Sequence, residues 1–266
     1  HLAAVLREEG HRVVEADARP DRPDQRTWDL DRPETLPPDL DEFDVVYLMA
    51  GRSGTSVSFD QAASFVRTNV GGLATLLESL RRMSRPPRVV FPSTRLVYQG
   101  APGRALREED ELEPLTPYGA TKIACESLLR MFARQFGVPF TVFRLCVVYG
   151  NVLGGAGSYG TMKHFIEPAQ AGKPLQLFGD GAQRRSLMHV EDVARRISAG
   201  GLSPACLDRV FNMGGPDVRS SRPKVMAILR SATIRAGRGQ SLPDRLRCGQ
   251  WCGPARYSPA PRGWRL

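Results

Sequence analysis

The sequence predicts an α/β domain in which helices wind both faces of a parallel sheet. Two observations predict it. Short apolar runs at Val13-Val14, Val45-Val46-Tyr47-Leu48, Val89-Val90-Phe91 and Phe140-Thr141-Val142-Phe143 alternate with stretches of helical period. That alternation is the signature of a parallel sheet covered on both sides. The runs are also apolar throughout rather than at every second position, as buried parallel strands are.

Taken in order, residues 2–9 read as the end of a helix. Gly10-His11 then stops that helix and leads into a strand ending at Asp17. In a doubly wound domain the entering helix follows a first, central strand and a glycine-rich turn. Neither precedes His1, so an N-terminal piece is expected to be missing. Residues 60–83 carry Phe65, Leu73, Leu76, Leu77 and Leu80 at helical spacing, and residues 118–136 carry Ile123, Leu128, Leu129, Met131, Phe132 and Phe136. Lys224 to Leu229 read as a helical turn or two, and after Arg230 the chain is rich in Arg, Gly and Pro without a period. The organisation expected is an α/β body followed by a basic tail over 230–266 that is disordered or non-native.

The 266 residues suit one large α/β domain with a small lobe, and 41% hydrophobic residues exclude wholesale disorder. Five cysteines make no dense framework and no signal-peptide pattern opens the chain, so a cytoplasmic, reducing location is expected. No apolar run approaches the roughly 20 residues of a membrane helix. The net charge of +9 suggests an acidic partner at first sight, but residues 1–215 hold 26 basic and 26 acidic residues. Residues 216–266 hold 11 against two, so the whole excess lies in the tail and a nucleic-acid partner is not expected.

The chemistry centres on Tyr118-Gly-Ala-Thr-Lys122 at the start of a helix. Residues four apart share a helix face. An ammonium beside a phenol lowers a pKa that starts near ~10, which lets the phenol exchange a proton with a substrate hydroxyl. Thr94, in Pro92-Ser93-Thr94-Arg-Leu-Val-Tyr98, follows an apolar strand 24 residues upstream of the tyrosine. A hydroxyl there can hydrogen-bond the same reacting oxygen.

With these residues the chain resembles the extended short-chain dehydrogenase/reductase superfamily, the nucleotide-sugar epimerases and dehydratases, over about residues 1–229. The resemblance rests on ordered motifs: Val13-Val14-Glu15-Ala16-Asp17, Trp28-Asp29-Leu30, Tyr47-Leu48-Met49-Ala50-Gly51, Thr68-Asn69-Val70-Gly71-Gly72, and Arg144-Leu-Cys-Val-Val-Tyr149-Gly150. Phe178-Gly-Asp-Gly-Ala-Gln-Arg-Arg185, His189-Val-Glu-Asp-Val and Val210-Phe-Asn-Met-Gly-Gly215 complete it. It implies an NAD-binding domain over 1–150 built on a Rossmann-type sheet, here lacking its first strand and Gly-rich turn, and a small incomplete substrate lobe over 151–229. It implies NAD across the strand ends, contacted by Asp17, Asp29, Leu30, Leu48, Met49, Ala50, Asn69, Tyr118 and Lys122. It further implies that Tyr118 takes the proton of a sugar hydroxyl while C4 gives hydride to the nicotinamide. Thr94 would hold the same oxygen, Lys122 would bind the nicotinamide ribose, and Arg185 would pair with the substrate pyrophosphate.

Asp17 at a strand end accepts from ribose hydroxyls and repels a 2′-phosphate, which favours NAD; Arg19 leaves NADP open. Dehydratases of this family carry Asp-Glu after the catalytic Thr. Here Arg95-Leu96 stand there, which puts a 4-epimerase ahead of a dehydratase or reductase. Val147 replaces an expected Asn and Ser186 an expected Asp, which weakens substrate assignment. A catalytically inactive fragment or regulatory NAD(P)-binding relative is the rival of another class. Relatives often dimerise through the helices after Asn69 and around Tyr118, so a homodimer is expected if those helices form. His189 reads as a structural residue beginning a helix. Cys248 and Cys252 lack further ligands, so no metal is expected. The row Arg81, Arg82, Arg85 and Arg88 reads as a solvated helix end.

Overall fold

A four-stranded parallel sheet organises the larger part of the computed structural model, which describes residues 1–100, 104–150, 184–215 and 218–220 together with Pro168, Ala171 and Lys173. The expected helix at 224–229, the basic tail and most of the motif ending at Arg185 lie outside the described residues. The chain divides into two units. One is His1–Val148 with Met188–Gly214, and the other is Tyr149–Leu187 with Gly215–Leu266.

In the first unit, helix α1 (Leu2–Glu8) leads to the short strand β1 (Ala16–Asp17), which pairs in parallel with β2 (Arg26–Thr27). The run Val13-Val14 does not itself pair. Strand β3 (Val45–Tyr47) lies at one edge of the larger sheet. Beyond β3 come helices α2 (Thr55–Asp60) and α3 (Ala62–Phe65), a π turn (Val66–Gly71) and α4 (Gly72–Leu80). The helical stretch expected at 60–83 is thus broken into pieces. Strand β4 (Arg88–Thr94) is followed by a 3-10 turn (Arg95–Val97), α5 (Pro117–Phe136), β5 (Phe140–Leu145) and β6 (Val147–Tyr149). After β7 (Arg184–His189) come α6 (Val190–Leu202) and β8 (Arg209–Met213). The sheet order is β3-β4-β5-β8, all parallel. Residues 188–214 belong with the first unit because β8 pairs with β5 from Thr141↔Arg209 to Leu145↔Met213.

Helices cover both faces, which is why the strands are apolar on both. Val89, Phe91, Phe140 and Val142 pack on one face against Leu73, Leu76, Leu77 and Leu80 of α4 and Cys125 and Leu129 of α5. Val90 and Phe143 point to the other face and pack with Val193 and Ile197 of α6 and Leu2 of α1.

Local signals set the ends of the helices. Thr116 caps α5, accepting at 3.1 Å from the Gly119 amide, and Pro117 occupies its first turn. Gly137 ends α5 in the left-handed region at φ 68°. His189 caps α6 by accepting from the Glu191 amide at 3.4 Å, a structural role of the kind expected for it. Arg88 departs from the solvated row expected at 81–88. Its Nη1 donates to the carbonyls of Gly201 and Ser203 at 2.6 and 2.8 Å, satisfying acceptors at the end of α6.

In the second unit β7 pairs antiparallel with β9 (Val218–Ser220), with Arg185 opposite Arg219. Ser186 Oγ donates to the Gly215 carbonyl at 3.1 Å. Only the backbone of Arg185 is described, so its expected pyrophosphate contact lies outside what the side chains show. Among the described residues no helix is long and apolar enough to cross a membrane.

Candidate active site

Parallel strands end on one edge of a sheet, and ligands of such folds sit beyond those ends. Asp17, Leu48, Thr94 and Leu145 all stand at or just after such ends. Thr94 is the last residue of β4 and is 7% exposed. Its Oγ1 caps the turn that follows, accepting from the Leu96 amide at 3.2 Å. Tyr118 lies in the first turn of α5, half-buried, with its ring edge-on to Phe65 at 6.2 Å.

Gly119 explains how these two places meet. A Cβ built on it would lie 2.5 Å from the Leu96 carbonyl oxygen and 3.1 Å from Pro114. The start of α5 therefore rests directly on the turn after Thr94, at a distance only glycine permits. Gly119→Ala is expected to cost about 2 kcal/mol through this overpacking. Gly71→Ala is the control: a Cβ there meets nothing within 4 Å, and the helix should gain up to about 1 kcal/mol. Urea denaturation of both variants checks the contrast.

Lys122 lies one turn beyond Tyr118, on the same face, and is 5% exposed. Its Nζ donates to the Pro92 carbonyl at 2.8 Å and sits 4.3 Å from the Phe91 ring centroid and 5.9 Å from that of Tyr118. Burial pulls the ammonium down to about 8 from its ordinary 10.5, while Cys125 and Glu126 pull the other way. The penalty for holding the charged lysine is full below pH 8. Between about 8 and 10.5 the unfolded chain holds a proton that the folded chain has released, so stability gains with rising pH. Relative to Lys122→Met, the parent chain should gain up to about 3 kcal/mol across that window. A difference between the two that stays flat with pH would contradict the assignment.

Asn69 is spent inside the protein. Its Oδ1 accepts from the Arg52 amide at 2.7 Å, and its Nδ2 donates to the Arg52 carbonyl at 3.1 Å and to Thr121 Oγ1 at 3.2 Å. It is 5% exposed, and the π turn around it lets the side chain turn inward. Gly51, at φ 142°, passes close beneath, since a Cβ there would come within 2.9 Å of Asn69 Oδ1. The Asn69 side chain thus clamps the loop after β3 to α5, next to Lys122; where a cofactor contact was expected, its polar atoms hold protein.

The other expected cofactor residues divide. Asp17 is exposed at the end of β1 and accepts from the Arg19 amide at 2.8 Å. Met49, 41% exposed, and Ala50 stand open at the end of β3. Leu48 is buried in the core at 3% exposure. Leu30 packs against α4, where a Cβ on Gly72 would lie 2.6 Å from it. Asp29 shapes its own turn, accepting from the Asp31 amide at 3.0 Å. A cavity of about 490 Å³ opens between β1 and β3, lined by Val14, Ala16, Val46, Leu48 and Ala50 among others.

Beneath the site lies an ionic network that the sequence reading did not identify. Glu126, fully buried, accepts from Arg144 Nε at 3.0 Å and Nη2 at 2.7 Å, from Ser93 Oγ at 2.6 Å and from Arg130 at 3.3 Å. Arg144, 2% exposed, also donates to the Tyr98 hydroxyl and to the Glu108 carbonyl at 3.0 Å. Tyr98 in turn donates to Asn212 Oδ1 at 2.9 Å, and burial pushes its phenol above the ordinary value, so it remains a neutral donor. The signal was available: Glu126 follows Lys122 by four residues, as Lys122 follows Tyr118.

The family model described as NAD dependent epimerase/dehydratase family matches residues 1–214. The chain belongs to this family. Among its epimerase/dehydratase relatives is the uncharacterized UDP-glucose epimerase YtcB of Bacillus subtilis, 30% identical over 198 residues, which are 74% of this chain and 60% of that protein. The chain therefore spans less than two thirds of that relative's length. MoeE5, solved in complex with UDP-glucose and NAD, is 30% identical with a TM-score of 0.72, covering 88% of this chain and 78% of MoeE5. A double mutant of DesIV, a dTDP-glucose 4,6-dehydratase from Streptomyces venezuelae solved with NAD, is 25% identical with a TM-score of 0.71, covering 86% and 75%. The family's Rossmann-type architecture is the one described above, with helices on both faces of a parallel sheet.

Proposed function

We propose that this chain carries the catalytic domain of a nucleotide-sugar 4-epimerase working with NAD. The observation that supports the reading is the packing of Gly119 on the Leu96 carbonyl, which sets the helix turn bearing Tyr118 against the turn that Thr94 caps, with Lys122 buried one turn along. When bound, NAD would supply a hydride acceptor and donor at the strand ends. The exposed Asp17 carboxylate suits ribose hydroxyls there, and the exposed surface at Met49 and Ala50 suits a flat ring lying across the edge. Those residues fit the adenosine half of the cofactor.

Tyr118 is the acid and base. It takes the proton of the sugar C4 hydroxyl as the carbonyl forms and returns it when the carbonyl is reduced. Thr94 holds the same oxygen. Lys122 keeps a positive charge beside the phenol and thereby favours the phenolate. Arg185 pairs with the nucleotide pyrophosphate, for which a guanidinium fork is suited.

Epimerisation is favoured over 4,6-dehydration because elimination across C5–C6 needs an acid and a base, and Arg95-Leu96 follow Thr94. A homodimer would form through the exposed side of α2 to α4 and α5, where Phe59 is 62%, Val66 52% and Met131 51% exposed. The free thiols Cys125, Cys146 and Cys206 suit a reducing, cytoplasmic location. The test is incubation of the chain with UDP-glucose and NAD, followed by separation of the UDP-sugars. Appearance of UDP-galactose supports the reading. A UDP-4-keto-6-deoxy sugar would replace it with dehydration, and unchanged UDP-glucose would refute it for this substrate.

A further inference from the structure

Three consecutive residues at the end of β4 meet α5 in three different ways. Pro92 offers its carbonyl to Lys122 Nζ at 2.8 Å, Ser93 donates to Glu126 at 2.6 Å, and Thr94 caps the turn on which Gly119 rests. Tyr118, Lys122 and Glu126 recur at four-residue spacing on α5. Glu126 is the deepest of the three, with no exposed surface, and its carboxylate also takes three hydrogen bonds from Arg144 of β5.

We propose that Glu126 is a positioning residue: it fixes the register of α5 against the end of β4, so setting Tyr118 and Lys122 relative to Thr94, and it places a carboxylate one helical turn from the Lys122 ammonium. The proposal rests on the reading of Tyr118, Lys122 and Thr94 as the reacting set.

A neutral amide would not serve both ends. Gln could accept from Ser93, but it would leave the Arg144 guanidinium buried beside no anion, and Lys122 would lose its nearby negative charge. Among the described residues the groups facing Lys122 are few. Its own helix offers Tyr118, Cys125 and Glu126, and β4 offers the Phe91 ring and the Pro92 carbonyl. Burial pushes the Cys125 thiol up to about 11. Cys125 and Glu126 both oppose the desolvation of Lys122, and Glu126 is the carboxylate of the two.

The experiment follows the urea stability of the full chain from pH 6 to 10.5, comparing parent with Lys122→Met. The same comparison is made in backgrounds carrying Glu126→Gln or Glu126→Asp. The difference curve reports the protonation of Lys122. Its midpoint should fall by about one pH unit, a tenfold loss of proton affinity, with Gln and return toward the parent value with Asp. If Glu126→Gln does not fold, the pair Glu126→Gln and Arg144→Met removes both buried charges, and the midpoint should again fall, by less than with Gln alone because a cation leaves with the carboxylate. Midpoints that coincide in all backgrounds would overturn the proposal, because a merely structural glutamate leaves Lys122 unmoved. With UDP-glucose and NAD, kcat should drop about tenfold for Gln at nearly constant KM and recover with Asp. A parent chain without turnover would sink the epimerase reading alone; the titration would still decide the role of Glu126.

Discussion

Tyr118→Phe is expected to reduce turnover of a UDP-sugar by two to four orders of magnitude while leaving the fold intact, the range about 10²–10⁴ being typical of a lost general acid–base. The substitution removes one oxygen. The ring keeps its edge-on contact with Phe65 at 6.2 Å and its place beside the Lys122 ammonium. Stability should therefore change by no more than about 1 kcal/mol. The loss should fall on kcat, because the phenol acts on a proton that moves only during the chemical step. Equal turnover by Phe would remove Tyr118 from the mechanism, whatever the chain then does.

Arg144→Met should have the largest effect on stability. It strands the Glu126 carboxylate, which has no exposed surface, without the guanidinium that makes three of its hydrogen bonds. Breaking a buried pair from one side costs about 3–5 kcal/mol, since the remaining charge cannot reach water. Tyr98 loses a partner in the same change, and through it the link to Asn212 of β8. Glu126→Leu with Arg144→Met should cost markedly less than the two single changes added together. Denaturation of the double-mutant cycle measures that coupling. Simple additivity would mean the pair is not the unit described here.

Strands β3, β4 and β5 and helix α5 were legible because burial on two faces leaves a plain trace in sequence. Val45, Val89 and Phe140 begin apolar runs, and the sheet pairs those runs with Val46 opposite Val89 and Val89 opposite Phe140. The trio proposed for catalysis stands out in the sequence for a local reason: four-residue spacing on one helix, after a strand end bearing a hydroxyl. The π turn around Asn69 was not legible, because the flanking Phe65 and Leu73 keep helical spacing while an inserted residue turns inward between them. The Glu126 network was not legible as a network. It joins residues 93, 98, 126, 144 and 212 from separate elements, and no local period connects them. Arg88 misled in the same way. It looks like one more surface arginine until α6, more than a hundred residues later, presents its carbonyls to it.

The central claim is that one site removes hydride from C4 of a nucleotide sugar and returns it to the other face. UDP-glucose deuterated at C4, incubated with the full chain and NAD, tests this directly by mass and NMR analysis of the products. The account predicts UDP-galactose that retains deuterium at C4, since the hydride removed is the one returned. Formation of UDP-galactose with the label lost from C4 would contradict it, as would persistence of UDP-glucose alone with NAD present.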